Sequence, residues 1–249
     1  MSGWYTFFKH TVVRPLVRTG WRGRIEGEEN IPAKGGVILA SNHISAVDTV
    51  VLPSLMRRHL TFPAKAELFQ GGRGPASEVI AWAVKAVDQV PLDRSGGKAS
   101  LDGLGPILQV LQDGGAAGIY PEGTRSPDGR LYKGKTGVAR LALAAGVPVC
   151  PVAMIDSQIT GKRLGIPWAN QPLVRIGAPL DYSRFAGRGD DRKVIRWITD
   201  DIMAHIQELS GQTYVDAYGT SVKYGGMSEE EAARRVLPRP GYGTDEPQV

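Results

Sequence analysis

The chain has 249 residues, of which 42% are hydrophobic and 22% are charged, a composition that excludes an intrinsically disordered protein. No uncharged apolar run reaches the roughly 18 residues that a membrane-spanning helix needs, and no long apolar core with a small-residue cleavage site opens the chain, so we expect neither a helix bundle in the bilayer nor a secretory precursor. The formal net charge of +5 indicates anionic partners, and the single Cys150, set among apolar residues, predicts a buried thiol without a disulfide.

Residues 1–26 are predicted to form an amphipathic segment that docks on a membrane. At helical spacing one side carries basic residues, and the other side carries apolar residues, namely Trp4, Tyr5, Phe8, Val12 and Leu16. Aromatic rings settle at the headgroup boundary and arginines bind anionic lipid. We therefore expect a peripheral protein at the cytoplasmic face of a membrane. The alternative is a helix that packs on its own domain.

Strands and helices alternate through a predicted domain at 27–210. Strands are predicted at 37–42, 59–63, 88–92, 117–120, 147–155 and 173–176, and helices at 45–58, 77–87, 98–113, 136–145 and 190–209. This alternation predicts an α/β fold in which a central mixed, largely parallel sheet is flanked by helices, with ligands beyond the carboxyl ends of the strands. Residues 211–249 are predicted to be a tail that wraps the surface or is partly disordered from Met227 onward.

His43 and Asp48 follow the first predicted strand and stand five positions apart. On one helix this spacing turns the side chains about 140° apart, and on one strand it puts them on opposite faces, so only a turn would bring them together. A carboxylate on one imidazole nitrogen fixes the tautomer and leaves the other nitrogen free to accept a proton. The pattern predicts a general base with its orienting carboxylate. A chance pair at the start of an ordinary βα unit is the alternative.

A second polar stretch, PEGTRS at 121–126, follows the predicted strand at 117–120. Gly123 permits a tight backbone, while the hydroxyls of Thr124 and Ser126 and the guanidinium of Arg125 offer several hydrogen-bond donors. This combination suits a phosphate group.

Arg94 follows the predicted strand at 88–92 and would place a second cation at the same end of the sheet. Two arginines after two strands favour a phosphate site. The alternative is a solvated loop in which Glu122 and Arg125 form a surface ion pair.

Taken in order, these stretches resemble the four motifs of the glycerolipid acyltransferases typified by 1-acylglycerol-3-phosphate acyltransferase. The motifs are Asn42-His43 with Asp48 after four residues, Arg94 in VPLDR, YPEGTRS at 120–126 and VPVCPV at 147–152. The resemblance runs from about Gly35 to Pro179 and includes AKAELF at 64–69, which is similar to a lysine-bearing segment of that family.

The resemblance implies acyl transfer from acyl-CoA or acyl-carrier protein to the free hydroxyl of a lysophosphatidic acid, which makes phosphatidic acid. His43 would be the general base and Asp48 its orienter. The acceptor and phosphate site would consist of Lys65, Arg94, Glu122, Gly123, Thr124, Arg125 and Ser126. No cofactor is implied beyond the acyl thioester as cosubstrate. Glycerol 3-phosphate, another lysophospholipid or a glycolipid stays open as the acceptor.

Two other interpretations come from different classes of protein. The stretch at 129–136 fits the pattern GxxxxGK[ST] of a nucleotide-binding loop, although the nearest predicted strand ends well before it. A lipid-binding module without catalysis is the other. The four histidines lack the spacing of metal ligands, and no motif for nucleic-acid binding is present, so we expect neither a metal site nor a nucleic-acid partner.

Overall fold

The computed structural model describes residues 7, 9–65, 89–92, 101–163 and 166–248. The helix predicted at 77–87 and Arg94 lie outside the described residues. Within them, no helix is both long and apolar enough to cross a bilayer.

The strands and helices follow the predicted alternation. The strands are β1 (Arg24–Glu26), β2 (Val37–Ser41), β3 (Leu60–Thr61), β4 (Pro63–Lys65), β5 (Val90–Leu92), β6 (Ala116–Ile119), β7 (Leu131–Tyr132), β8 (Val149–Ile155), β9 (Ile159–Arg163), β10 (Ile166–Ala169), β11 (Leu173–Ile176), β12 (Tyr214–Val215) and β13 (Val236–Leu237). The α-helices are α1 (Asp48–Leu55), α2 (Leu101–Gln112), α3 (Gly137–Ala145), α4 (Arg192–Ser210), α5 (Gly219–Lys223) and α6 (Glu229–Ala233). Single helical turns are found at Lys9–Val13, Leu16–Gly20, Glu28–Asn30 and Ser183–Phe185.

The central sheet has six strands in the order β1-β11-β8-β2-β6-β3. Every neighbouring pair in it is parallel except β11 and β8, which are antiparallel. The predicted mixed, largely parallel sheet is therefore confirmed. Because β2 and β6 are parallel neighbours, the residues that follow them, from Asn42 and from Tyr120, leave the sheet at the same edge.

An apolar layer covers each face of the sheet, and successive residues of β2 contribute to the two layers in turn. All five residues of β2 are buried. Ile38 and Ala40 face a cluster that includes residues of α2, α3 and α4, whereas Val37 and Leu39 face a cluster that includes residues of α1. Successive side chains of a strand point to opposite faces, so a continuous apolar run is what a sheet covered on both faces requires.

A proline lies inside the central strand β8, a position that its missing N–H disfavours. Pro151 pairs with Ala40 of β2 and is fully enclosed in the sheet. The N–H of Val149, two residues earlier and on the same side, donates to the carbonyl of Leu180 beyond the end of β11. An N–H at Pro151 would face β11, but β11 ends at Ile176 and has no strand residue opposite Pro151. The proline therefore leaves no hydrogen bond between these strands unmade.

The amino-terminal segment differs from the predicted amphipathic helix in two respects. The turns Lys9–Val13 and Leu16–Gly20 are π-helical, so the 3.6-residue spacing misassigns the faces: Val12 is exposed, whereas Val17 is fully buried. The segment also ends earlier than residue 26, because β1 is an edge strand of the central sheet and pairs with β11.

The chain beyond Gly211 is folded, which corrects the expectation of a partly disordered tail. β12 pairs in parallel with β7 and antiparallel with β13, and α6 begins with a capping box at Ser228. A second difference is the hairpin β9–β10, which the sequence analysis did not predict because the side chains of β9 are all exposed and give no apolar alternation.

Candidate active site

His43 and Asp48 meet in the turn between β2 and α1, as predicted. His43 Nδ1 lies 2.9 Å from Asp48 Oδ2, and the same oxygen accepts hydrogen bonds from the backbone N–H groups of Ile44 at 2.7 Å and Ser45 at 2.8 Å. The Asp48 side chain is fully buried. A carboxylate held by two backbone donors is fixed in position, so Nδ1 of His43 carries the proton that faces it.

The other imidazole nitrogen of His43 is available to a substrate. Nε2 has no hydrogen-bond partner among the described residues, and the side chain is 13% exposed. The ring stacks on Tyr120 with centroids 4.0 Å apart, and Tyr120 stacks in turn on Phe62. The imidazole is therefore held on one side by the carboxylate and on one face by an aromatic ring, with a basic nitrogen left open.

Glu122 is hydrogen-bonded to the turn that carries His43. It is not among the residues that line the open pocket beside this turn. Its carboxylate, only 1% exposed, accepts from the backbone N–H of His43 at 3.0 Å through Oε1 and from that of Tyr132 at 3.0 Å through Oε2. Glu122 was expected to belong to the acceptor and phosphate site. The structure instead places it as a buried link that joins the His43 turn to β7.

Burial raises the pKa of Glu122 from 4.5 to about 8. The two backbone N–H donors lower it, and the nearby carboxylates of Asp48 and Asp128 raise it, but desolvation is the largest of these effects. The protonation of Glu122 is thus sensitive to pH near neutrality.

The loop from Gly123 to Ser126 is held in place by contacts with neighbouring segments. Gly123 has a φ of 71°, which strains residues other than glycine, and a Cβ there would lie 3.0 Å from the Lys135 side chain, so glycine is favoured. The Ser126 N–H donates to the His43 carbonyl at 2.7 Å, and its hydroxyl donates to the carbonyl of Arg130. Ser126 therefore holds the loop against the His43 turn, and its hydroxyl is not free for a ligand.

Beside this loop lies an open pocket of about 570 Å³. Its lining includes Ile44, Arg125 and Ser126 as well as Val222, Lys223 and Met227. Arg125 is exposed and makes no hydrogen bond or ion pair with a described residue, which leaves its guanidinium available to an anion. Of the expected phosphate-site residues, Arg125 and Ser126 reach this pocket.

The remaining expected residues are placed as follows. Lys65 is the last residue of β4, which pairs with β5, and only the backbone of Lys65 is described. Thr124 accepts a hydrogen bond from Lys223 Nζ at 3.2 Å. Arg94 lies outside the described residues. No cluster of three or more side chains that could hold a metal ion occurs in the described part of the chain.

The stretch at 129–136 is not a phosphate-binding loop, which corrects the nucleotide-binding alternative. Its middle forms the strand β7, which pairs with β12. The N–H groups of Tyr132, Lys133 and Lys135 donate to Glu122, to the Ala217 carbonyl and to the Pro121 carbonyl, respectively. A phosphate cradle needs such N–H groups to be free and pointing at the ligand, and here they are used inside the protein.

Gln212, beyond residue 210, also takes part in the site, and the sequence analysis gave it no role. Gln212 accepts from the amide of Asn42 at 2.6 Å and donates to the Gly129 carbonyl at 2.6 Å. Asn42 in turn exchanges two hydrogen bonds with the backbone of Met154 on β8. The turn that carries His43 is therefore fastened to β8 and to the carboxy-terminal segment.

Comparison with known proteins identifies the class. The Acyltransferase family profile matches residues 22–155, which is more than half of the chain. The chain therefore belongs to the Acyltransferase family. Its fold is also similar to the crystal structure of the 1-acyl-sn-glycerophosphate acyltransferase from Thermotoga maritima, with a TM-score of 0.55, 22% identity, and coverage of 84% of this chain and 89% of that one.

Curated relatives carry the name 1-acyl-sn-glycerol-3-phosphate acyltransferase. The Bacillus subtilis protein is 28% identical over 192 residues, which cover 76% of this chain and 88% of that protein. The chloroplastic protein of Brassica napus is 34% identical over 139 residues, which cover 55% of this chain and 38% of that protein. The Pseudomonas aeruginosa protein is 34% identical over 157 residues, or 63% and 57% of the two chains. The chain thus spans little more than a third of the plant relative.

Proposed function

We propose that this chain transfers a fatty acyl group from an acyl thioester to the free hydroxyl of 1-acyl-sn-glycerol 3-phosphate and so makes phosphatidic acid. The observation that carries the proposal is the His43–Asp48 pair, with its open Nε2, beside a pocket lined by Arg125, whose guanidinium has no partner among the described residues. The names of the curated relatives support the same reaction.

The chemistry follows from the positions of these groups. An alcohol is a poor nucleophile, so Nε2 of His43 takes the hydroxyl proton as the oxygen attacks the thioester carbonyl, and the Asp48 carboxylate stabilises the resulting imidazolium. The C–O bond forms, the C–S bond of the tetrahedral intermediate then breaks, and the thiolate takes the proton from His43. No covalent enzyme intermediate is needed.

The oxyanion of that intermediate needs donors other than the first amides of the turn. The N–H groups of Ile44 and Ser45 both donate to Asp48, so they are not available to it. We propose that the donor is an acyl thioester of coenzyme A or of acyl-carrier protein.

We further propose that the protein acts at an anionic membrane surface through its amino-terminal segment. Phe7 is 54% exposed and Val12 is 53% exposed, and the neighbouring His10 and Arg18 are exposed as well. Exposed apolar side chains among cations suit a headgroup boundary. Replacing Phe7 and Val12 by serine should reduce co-sedimentation with anionic vesicles, whereas Val236→Ser, at an exposed valine of β13, should not; equal binding of all three proteins would contradict docking by this segment.

The reaction is tested by thiol release from acyl-CoA with 1-acylglycerol 3-phosphate, with the lipid product identified by mass. Wild-type protein should give the diacyl product, and His43→Ala should lower kcat by at least roughly 10²- to 10⁴-fold. His205→Ala is the matched control, because His205 also lies beside an aspartate, Asp201, but on the exposed part of α4.

Folding of each variant is checked by its thermal transition. A folded His43→Ala protein with wild-type turnover would contradict the role of the base. Wild-type protein that binds lysophosphatidic acid but transfers no acyl group, from either acyl-CoA or acyl-carrier protein, would overturn the enzyme and favour a lipid-binding module.

A further inference from the structure

We infer that Lys223, in the carboxy-terminal segment, is the second cation of a phosphomonoester site whose first cation is Arg125. The inference rests on the proposed acyl transfer and adds a binding residue to it. Lys223 lies well beyond residue 155, where the match to the Acyltransferase family ends, so the family motifs do not include it.

The geometry places the two cations in one pocket. Arg125 and Lys223 both line the same open space of about 570 Å³. Lys223 Nζ donates to Thr124 Oγ1 at 3.2 Å, and Thr124 immediately precedes Arg125 in the chain. A lysine with one neutral partner keeps two of its three ammonium hydrogens for an anion, because an ammonium group has three donors.

The helix that carries Lys223 is held against the site by packing. α5 begins at Gly219, whose backbone lies beside Thr124 and Tyr132, so that a Cβ there would be in ordinary van der Waals contact with both at 3.4 Å. Val222 and Met227 pack on an apolar cluster that includes Tyr132 and Val215. Lys133, which follows β7, and Asp216, which follows β12, form an ion pair at 2.8 Å. Lys223 is therefore an ordered part of the wall.

The charges around the pocket favour an anion. Besides Arg125 and Lys223, its lining contains one charged residue, the exposed Glu229 of α6. Ser126 and Ser228 are neutral, and the Lys135 side chain lies over Gly123 at the base of the loop. Two cations against one carboxylate leave a net positive site, and a phosphate monoester carries close to two negative charges at neutral pH.

The pocket opens beside the catalytic turn. Ile44, the residue after His43, lines it, and Ser126, which also lines it, is hydrogen-bonded to the His43 carbonyl. A phosphate held there would place a nearby hydroxyl of the same molecule close to the base. The acceptor and the 3′-phosphate of acyl-CoA both supply a phosphomonoester, so the experiment is designed to distinguish them.

The test compares wild type, Lys223→Ala and Lys223→Arg in steady-state assays. In one arm 1-acylglycerol 3-phosphate is varied at saturating donor, and in the other acyl-CoA is varied at saturating acceptor. We expect Lys223→Ala to raise the acceptor KM about 10-fold with little change in kcat, because a charge-assisted hydrogen bond is lost, and Lys223→Arg to restore it. Lys193→Ala, at an exposed lysine near the start of α4, is the matched control.

A third arm uses 1-acylglycerol, an acceptor without the phosphate, to test whether the effect of Lys223 depends on that group. With this acceptor Lys223→Ala and wild type should be equal in kcat/KM. A rise in KM for acyl-CoA alone would support the phosphomonoester site and assign it to the donor. Unchanged KM values in both arms, or an equal loss with 1-acylglycerol, would overturn the inference, whereas absence of turnover by wild type would overturn the proposed reaction instead.

Discussion

The two sides of the candidate active site are built in opposite ways. On the catalytic side Asp48 is fully buried and Glu122 is 1% exposed, and both accept hydrogen bonds from the backbone around His43. On the pocket side Arg125 and Lys223 are exposed, and within the described part of the chain the one hydrogen bond that either side chain makes is that between Lys223 and Thr124. Proton transfer needs a fixed donor–acceptor geometry, whereas charge attraction to a phosphate tolerates movement.

This difference has an energetic consequence. A buried polar group that loses its partner costs about 1–3 kcal/mol, whereas an exposed ion pair contributes only about 0–1 kcal/mol. Changes on the catalytic side should therefore alter kcat and stability together. Changes on the pocket side should alter acceptor binding and leave the fold intact.

The largest effect is expected from Asp48→Asn. The amide oxygen can replace Oδ2 as acceptor for the backbone, but the charge that stabilises the imidazolium is lost, and the amide nitrogen would occupy the place of Oδ1, which is buried without a partner. We expect kcat to fall roughly 10²- to 10⁴-fold, with a smaller change in acceptor KM.

The matched control for that variant is Asp201→Asn, because Asp201 also lies beside a histidine but is partly exposed on α4. If kcat for Asp48→Asn were within about twofold of the wild-type value, the role of the Asp48 carboxylate in proton transfer by His43 would be contradicted.

A smaller loss is expected from Glu122→Gln. One of the two backbone N–H groups, of His43 or Tyr132, would face an amide nitrogen instead of an oxygen, so the turn that carries His43 should shift. A misplacement of about 1 Å can cost up to about 10²-fold, so we expect kcat to fall about 10- to 100-fold while the acceptor KM stays close to the wild-type value. A rise in KM alone would place Glu122 on the pocket side.

The same variant gives a pH test of stability. The folded pKa of Glu122 is raised from 4.5 to about 8, so the folded chain binds the proton more tightly, and wild-type stability should fall as the pH rises from 4.5 to 8. Relative to the uncharged glutamine variant, the difference across this window is on the order of 5 kcal/mol. Urea unfolding of both proteins at several pH values measures it; parallel stability curves would contradict a raised pKa.

The smallest effect is expected from salt, which acts on the pocket side. Raising the ionic strength to about 1 M shortens the Debye length from about 10 Å at 0.1 M to about 3 Å, so exposed cations attract phosphate less strongly. The KM for 1-acylglycerol 3-phosphate should rise several-fold, roughly 2- to 5-fold, with kcat unchanged. 1-Acylglycerol serves as the uncharged control, and equal salt effects on both acceptors would show that the exposed cations do not bind the phosphate.

Much of the fold could be predicted because its strands are short apolar runs that end at polar residues. β2 and β6 illustrate this, since each is buried and is followed directly by a motif residue. β9 was missed because its side chains are exposed, and the faces of the amino-terminal segment were misassigned because π-helical turns do not follow the 3.6-residue period.

The sequence by itself determined that His43 and Asp48 would meet, because they lie five positions apart across one strand-to-helix turn, and local backbone geometry is sufficient to join them. It also determined which loop carries Arg125. Only the tertiary structure decided that Glu122 is a buried support and that Gln212 and Lys223 reach the site from the far end of the chain. Contacts between residues 79 to 170 positions apart depend on how the sheet brings its strand ends together, and no local pattern in the sequence records them.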